Sequence, residues 1–467
     1  MKLYNTLSRK VDDIEPLNPP TVTIYTCGPT VYDYPHIGNW FTFVRYDLLV
    51  RTLKASGLEP KWVMNITDVG HLVSDADEGE DKLEKGAKRE GKTAWDIAEF
   101  YGDYFAKSLK RLNITEPTYM PKATEHIQEQ INLVRQLEDK GFTYKISDGI
   151  YYDTSKFPRY GDFARLDIDE QQSGARVEHN PEKRHKTDFA LWKFSPVQGQ
   201  RDMEWDSPWG KGFPGWHLEC SAMSMKYLGD TMDIHAGGID HIPVHHTNEI
   251  AQSEPITGKP FANYWMHTNH ITVNGQKVSK SLGNGITLED IEAKGFTLPA
   301  LRLHIFESHY RSQSKFSWES LEAAQNRLKD YQALADLRFQ PITSGQYELK
   351  ELDYSQYQSD IKNALQDDLN TPEVLRIISL IANNRHNSIH AKEKDEFVSF
   401  LVFLDSALGL QLLNSKDINQ SQKDIITQRQ EARQSKNWAK SDQLRNQLTE
   451  QGIGLRDTEY GSIWSRL

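Results

Sequence analysis

The chain has 467 residues, 37% of them hydrophobic and 26% charged, which suits a soluble protein of two to four globular domains. Its net charge is −11, so a polyanionic partner needs a locally basic surface set against the overall field. No apolar run approaches the ~18 residues of a membrane helix, the N-terminus has neither a secretory apolar core nor transit-peptide character, and two cysteines cannot build a disulfide framework; a reducing cytoplasm and no membrane partner are expected.

Residues 21–28, "TVTIYTCG", read as a short strand ending in Gly-Pro. The stretch "PHIGNWFTFVRYDLLVRTLKASG" follows, with Phe41, Val44, Leu48 and Leu49 at helical spacing and Gly57 as a stop. Residues 61–70, "KWVMNITDVG", read as a second strand, so strand, helix and strand form a βαβ unit and predict a parallel sheet. The charged stretch 75–92 reads as a solvated loop or helix face. Residues 93–114 and 122–141 read as amphipathic helices. Residues 143–215, rich in Gly, Pro and charge, read as an insertion in the sheet, after which "MDIHAGGIDHI" and "WMHTNHITVNGQKVSK" resume strand-and-loop texture.

Beyond Trp318 the texture turns helical, with periodic segments at 319–339, 372–390 and 394–410 that predict a bundle. A polar linker at 414–423 precedes a last small unit. That unit reads as one basic helix from about Ile425 to Gln451, then two short strands in "GIGLRDTEYGSIWSRL". Lys423, Arg429, Arg433, Lys436, Lys440 and Arg445 make this segment a candidate nucleic-acid surface. Trp438 within it is expected to pack the unit's core rather than to stack on a splayed base.

Three stretches carry chemistry. The two cysteines are Cys27, at the end of the first strand, and Cys220, in "PGWHLECSAMSM"; six of the chain's 16 histidines then fall between His235 and His270. In "VHHTNEIAQS", His245 and His246 stand four and three residues before Glu249, so either could share a helix face with it. Two cysteines, a histidine and a carboxylate suit zinc, although free cysteines are also commonly inert core residues. "PHIGN", at a strand-to-helix turn, suits a phosphate: the helix start offers free N–H groups, His36 and Asn39 add donors, and Gly38 permits close approach. "GQKVSKSLGN" is a polar loop whose Lys277 and Lys280 could neutralise charge on a triphosphate under attack.

Together these stretches resemble the class I aminoacyl-tRNA synthetases, whose signatures are HIGH and KMSKS. "CGPTVYDYPHIGN", "PGWHLECSAM", "HAGGIDH", "HHTNEIAQSE", "NYWMHTNHITVNGQKVSKSLGN" and "DDLNTPE" resemble the cysteinyl-tRNA synthetase family within that class, over essentially the whole chain. The resemblance implies ATP-dependent ligation of L-cysteine to tRNA(Cys) through a cysteinyl-adenylate, with AMP and diphosphate released. It implies one zinc ion per chain, held by Cys27, Cys220, His245 and Glu249, and ATP carried with Mg2+. His36, Asn39, Lys277 and Lys280 become the catalytic residues, with Lys280 the lysine that contacts ATP. Gly28, Thr30, Gly38, Gly237, Gly238 and Asp240 join Lys280 in binding the nucleotide; Thr67 and Trp216 bind the amino acid. Asn39 stands for the last His of HIGH and Val278 for the Met of KMSKS; "AGGIDHIPVHHTNE" stands where the family often has GGG and HHENE.

The implied fold is α/β: a doubly wound, Rossmann-like parallel sheet over 1–120 and 216–318, a connective insertion at 121–215, a helical bundle at 319–413 and a small anticodon-binding unit at 414–467. A monomer is the default expectation. The rival readings are a cysteine ligase acting on a small amino-sugar, a simple nucleotidyltransferase and a non-catalytic RNA-binding relative. The long C-terminus weighs against the first, KVSKS and the cysteines against the second, and the retention of His36 and Lys280 against the third.

Overall fold

The computed structural model describes residues 1–69, 81–166, 180–196, 201–278, 283–340, 353–383, 394–458 and 461–467. Four parallel strands form the central sheet: β1 (Thr21–Thr26), β2 (Glu59–Met64), β3 (Met232–Gly238) and β4 (Ala262–Thr268), in the order β4-β3-β1-β2. Thr26 pairs with Met64 on one side and with Ala236 on the other, so the C-terminal ends of β1, β2 and β3 lie side by side. Ile24, Tyr25, Val63, Met64, Ile234, Ala236 and Met266 are all buried, the near-continuous apolar run of a sheet covered on both faces.

Helix α1 (Ile37–Ala55) links β1 to β2, as the periodicity predicts. It is buried nearly all round, by Trp40, Phe41, Phe43, Val44, Leu48 and Leu49 among others. The chain runs from β1 through α1 to β2 on one side of the sheet, whereas β3 and β4 lie on the other side of β1. The strand order therefore reverses between β1 and β3, and a ligand crevice belongs at their C-terminal ends. The stretch read as an insertion holds a four-stranded antiparallel sheet of Thr143–Ile146, Gly149–Tyr152, Phe189–Phe194 and Gly212–Pro214. Helix α2 (Trp216–Leu228) follows it, and helix α3 (Thr247–Thr257) joins β3 to β4.

The described chain divides into two compact units, Met1–Asp290 with Tyr310–Lys315, and Ile291–His309 with Phe316–Leu467. The second holds the helices Leu298–Phe306, Trp318–Ala335, Tyr354–Gln366, Thr371–Asn383 and Lys394–Leu408, then a small terminal element. Among the described residues no helix is long and apolar enough to cross a membrane.

The terminal element departs from the sequence-based expectation in three ways. The single helix expected over about 425–451 is two, Gln420–Gln434 and Trp438–Glu450. Lys436 takes a left-handed φ of 58°, and Asn437 starts the second helix by accepting a hydrogen bond from the Lys440 N–H at 3.2 Å. Trp438 does not pack the core: it is 57% exposed, and Trp464, on the strand Gly461–Arg466, fills the interior with Ile425, Leu444, Leu448 and Leu455. Arg429 is no phosphate ligand, for it is 1% exposed and donates to both Asp457 oxygens, at 2.7 and 2.8 Å.

Asp457→Ala is expected to destabilise this element by about 2–3 kcal/mol, since it leaves a buried guanidinium uncompensated while Asp457 itself keeps contact with water. Thermal unfolding of the variant measures this. The hydrogen bonds from Arg429 hold the Asp457 pKa below the carboxylate range. The stabilisation is therefore present above the unfolded pKa of about 4 and is lost as the pH falls through the lower folded value.

Candidate active site

The C-terminal ends of β1, β2 and β3 open onto a cavity of about 370 Å³. Cys27 follows β1 directly, and its N–H donates to the Ala236 carbonyl of β3 at 3.2 Å. The next residue must be glycine, because a Cβ on Gly28 would lie 1.7 Å from the Asn65 carbonyl oxygen. Asn65 also holds this turn, its Oδ1 accepting from the Gly28 N–H at 2.8 Å. Beyond it Thr30 pairs with Thr67, whose N–H donates to the Pro29 carbonyl at 3.0 Å, so the two chain segments stay parallel past the strand ends.

Helix α1 starts at the cavity. The Asn39 Oδ1 accepts from the His36 N–H at 3.0 Å, closing the first turn, which leaves its NH2 as the donor Asn39 can offer a ligand. His36, Gly38, Asn39, Thr30 and Thr67 line the cavity; Trp216, Gly238 and Asp240 line it from the far half of the sheet. Gly237 lies just beneath: a Cβ there would come within 2.5 Å of the His246 ring. Val278, which is 8% exposed, borders the same cavity at the end of the hairpin made by Ile271–Val273 and Gln276–Lys277. The hairpin backbone thus brings Lys277 to this edge, whereas Lys280 lies outside the described residues.

The floor is a cluster of buried donors. Single ligand atoms of Cys27, Cys220, His245 and Glu249 all lie within 4.8 Å of one another. His245 Nε2 is 2.7 Å from Glu249 Oε1, and the other carboxylate oxygen is 2.5 Å from His235 Nε2. Glu249 lies on α3, but His245 and His246 lie in the π-helical turn Ile242–His246 that precedes it, not on the α-helix the spacing suggests. Such turns are frequent at functional sites. The two rings differ in their contacts: His245 Nδ1 is 2.9 Å from His217 Nδ1, whereas His246 Nε2 lies 3.4 Å from Cys27 Sγ and its Nδ1 2.8 Å from His267 Nε2. Cys27, His235, His246 and Glu249 form a second group within the same spacing.

Protonation in the cluster is strongly perturbed. Burial raises the Cys27 thiol well above its usual pKa, and the neighbouring Cys220 raises it further. Cys220 is lowered to about 6, chiefly by the hydrogen bond from Cys27, with burial opposing and His245 assisting. His245 is raised to about 10: burial works against this, but Glu249 and Cys220 outweigh it. Burial likewise opposes ionisation of Glu249, yet His235 and His245 hold it below the carboxylate range. The arrangement is a buried thiolate and carboxylate balanced by imidazolium, a set of donors that a divalent cation would satisfy.

Several contributors escape a reading of the sequence. His217 and His235 act on the cluster through distant strands and helices and leave no local signal beyond the histidine crowding. Glu219, on α2, is fully buried beside Cys220, and only the fold reveals it.

Residues 13–326 match the family model for the tRNA synthetases class I (C) catalytic domain, and residues 415–464 that for the cysteinyl-tRNA ligase anticodon binding domain. A cysteine–tRNA ligase of Treponema denticola is 42% identical over the full length of both chains. Cysteine–tRNA ligase 1 of Burkholderia lata is 44% identical over 99% of this chain and 96% of its own. Among solved structures, methionyl-tRNA synthetase of Mycobacterium tuberculosis bound by methionyl-adenylate superposes with a TM-score of 0.57 over 83% of this chain and 92% of that one, at 13% identity. A putative arginyl-tRNA synthetase of Campylobacter jejuni gives 0.51 over 85% and 94%, also at 13%, a likeness of fold alone. With its parallel sheet, its crevice at the strand-order reversal and these relatives along the whole chain, the protein belongs to the cysteinyl-tRNA synthetase family, the cysteine–tRNA ligases of class I.

Proposed function

We propose that this chain, a cysteine–tRNA ligase, selects its amino acid with one zinc ion held by Cys27, Cys220, His245 and Glu249. The observation that carries the reading is the grouping of those four donors within 4.8 Å. Two thiolates, an imidazole and a carboxylate are a donor set suited to zinc. Cys27, Cys220 and His245 also border the cavity, so an amino acid can reach the metal from there, whereas His235 and His246 of the second group do not. Zinc held there would accept a substrate thiolate as a further ligand well and a neutral hydroxyl poorly. His235 and His217 act as outer partners that orient Glu249 and His245.

In the first reaction the cysteine carboxylate attacks the α-phosphorus of ATP in line, and pyrophosphate leaves. In the second the terminal ribose hydroxyl of the tRNA attacks the adenylate carbonyl, and AMP leaves. The chain's task is positioning and charge stabilisation. The start of α1, with His36 and Asn39, takes the phosphates, and Gly38 keeps the approach open. Lys277 and Lys280 neutralise charge on the triphosphate, together with the Mg2+ that accompanies ATP. Gly28, Thr30, Gly237, Gly238 and Asp240 take the nucleoside side, and Thr67 and Trp216 the amino acid. The assigned regions are a catalytic sheet at 1–120 and 216–318, an insertion at 121–215, a bundle at 319–413 and an anticodon-reading element at 414–467. The protein works as a monomer in the cytoplasm, where its two thiols stay reduced.

Cysteine-dependent ATP–pyrophosphate exchange followed by charging of a tRNA pool tests the activity. Exchange without charging favours an amino-sugar ligase, and no exchange favours a non-catalytic relative.

Exposure of Trp438, with the Arg433 guanidinium 5.8 Å from its ring and Lys436 and Lys440 exposed beside it, supports base stacking at the anticodon. Trp438→Ala is expected to raise KM for tRNA by about 5–100-fold, the worth of one stacked base, and to leave adenylate formation unchanged. Removing residues 414–467 is expected to impair charging in the same selective way. Unchanged charging kinetics in either variant contradict the assignment.

A further inference from the structure

Beside the cavity lies one buried acidic group that neither the metal cluster nor the described hydrogen bonds account for. Glu219 lies in the first turn of α2, is 0% exposed, and among the described residues neither of its carboxyl oxygens has a hydrogen-bond partner. A buried carboxyl group without a donor is costly and calls for an explanation. Trp216 and Cys220 of the same helix border the cavity, and Glu219, buried behind its lining, stands three residues after Trp216 and next in sequence to Cys220. Its neighbour Thr67 does border the cavity. The Thr67 hydroxyl accepts from Asn65 Nδ2 at 3.0 Å and stands next to the Glu219 carboxyl.

Cysteine presents three groups. The thiol belongs to the metal, and the carboxylate must reach the α-phosphorus. The α-ammonium, with three N–H donors and a positive charge, still needs a partner. The other acidic residues of the region are engaged. Asp68 accepts from the N–H and hydroxyl of Thr124 at 2.9 and 2.7 Å, Glu249 is held by His235 and His245, and Asp33 faces Arg89 at 3.8 Å. Asp240 borders the cavity beside Gly238 and is the carboxylate assigned above to the nucleoside. Among the described residues beside Thr67 and Cys220, Glu219 is the buried acidic group with neither oxygen hydrogen-bonded.

We propose that Glu219 recognises the α-ammonium group of cysteine, which supplies the donors its carboxyl lacks, with the Thr67 hydroxyl completing the contact. Charge and position together make this a specificity determinant: thiol, carboxylate and ammonium are each read by a different element of the crevice. The inference rests on the metal reading above for the place of the thiol.

The test uses the zinc-loaded full chain and two ligands. Cysteine carries all three groups; 3-mercaptopropionate keeps the thiol and the carboxylate and lacks the ammonium. In Glu219→Gln, which keeps the shape and removes the charge, the KM for cysteine in pyrophosphate exchange is expected to rise on the order of 10–100-fold, the worth of a charge-assisted hydrogen bond. The inhibition constant of 3-mercaptopropionate is expected to shift less than about threefold, because it never made the contact. Zinc content is expected to stay at one per chain. Equal weakening of both ligands marks a merely structural role and overturns the proposal, as does an unchanged KM for cysteine. If Glu219→Gln does not fold, Glu219→Asp, which withdraws the charge by one methylene, takes its place: selective weakening of cysteine supports the proposal, and equal or no weakening overturns it. A wild-type enzyme without zinc defeats the metal reading. A zinc-bound wild type beside a Glu219→Gln variant of unaltered ratio defeats this inference alone.

Discussion

Replacing Cys220 by serine is expected to strip the chain of its metal and, with it, of its preference for cysteine over serine. The substitution changes one buried atom on α2, so the helix and the crevice keep their form and the loss is chemical. Cys220 is the readier thiolate of the pair, its pKa lowered to about 6 chiefly by the hydrogen bond from Cys27. A serine hydroxyl does not ionise there and is a poor ligand for a borderline-soft metal. Loss of an outer-shell partner typically costs 10–100-fold in metal affinity or activity, so loss of a ligand is expected to lower kcat/KM for cysteine by more than about a hundredfold. Cys27→Ser is expected to do the same from the other half of the sheet.

Selectivity is the sharper readout. Thiol and hydroxyl differ by one atom, and a pocket of fixed shape separates such substrates by only about 10–200-fold. The wild-type ratio of kcat/KM for cysteine against serine should exceed that range, and the variants should fall inside it or below. Zinc content after dialysis and the two ratios are the measurements. A serine variant that retains stoichiometric metal, or a chelated enzyme that still selects cysteine as well as the native one, contradicts the assignment.

Much of this crevice is legible in the sequence because its parts are anchored to the backbone. A strand, a Gly-Pro turn and a helix start follow each other in "TCGPTVYDYPHIGN", and β1 and α1 place Cys27 and His36 where that order predicts. The choice between His245 and His246 is not legible, since both stand at helical spacing from Glu249. A π-helical turn sends one ring toward Glu249 and His217 and the other toward Cys27 and His267, and no propensity announces such a turn. Trp438 misleads for a general reason. A large aromatic in an amphipathic segment reads as core, yet a small unit has room for few such rings, and Trp464 takes the place. Arg429 likewise reads as a surface cation because Asp457, its partner, lies on a strand far along the chain.

Lys280→Ala is expected to lower the rate of adenylate formation by about 10²–10³-fold while leaving cysteine binding within about threefold. The reason lies in where charge grows. As the cysteine carboxylate closes on the α-phosphorus and pyrophosphate departs, negative charge moves onto the leaving oxygens, and an ammonium there is worth more in the transition state than in the ground state. Amino-acid binding, by contrast, is proposed to be made at the floor of the crevice. The chain approaches Lys280 through a hairpin that pairs Thr272 with Lys277, and the buried Val278 borders the cavity two residues before Lys280. Val278 is apolar and indifferent to the lysine's charge, so the substitution is expected to remove the cation alone. Lys280→Arg keeps the charge but replaces a compact ammonium with a planar fork, and it is expected to recover part of the rate and not all of it. Single-turnover adenylation measured beside equilibrium binding of cysteine separates the two effects. A variant weakened in cysteine affinity and unaltered in the chemical step would place Lys280 in the amino-acid subsite instead.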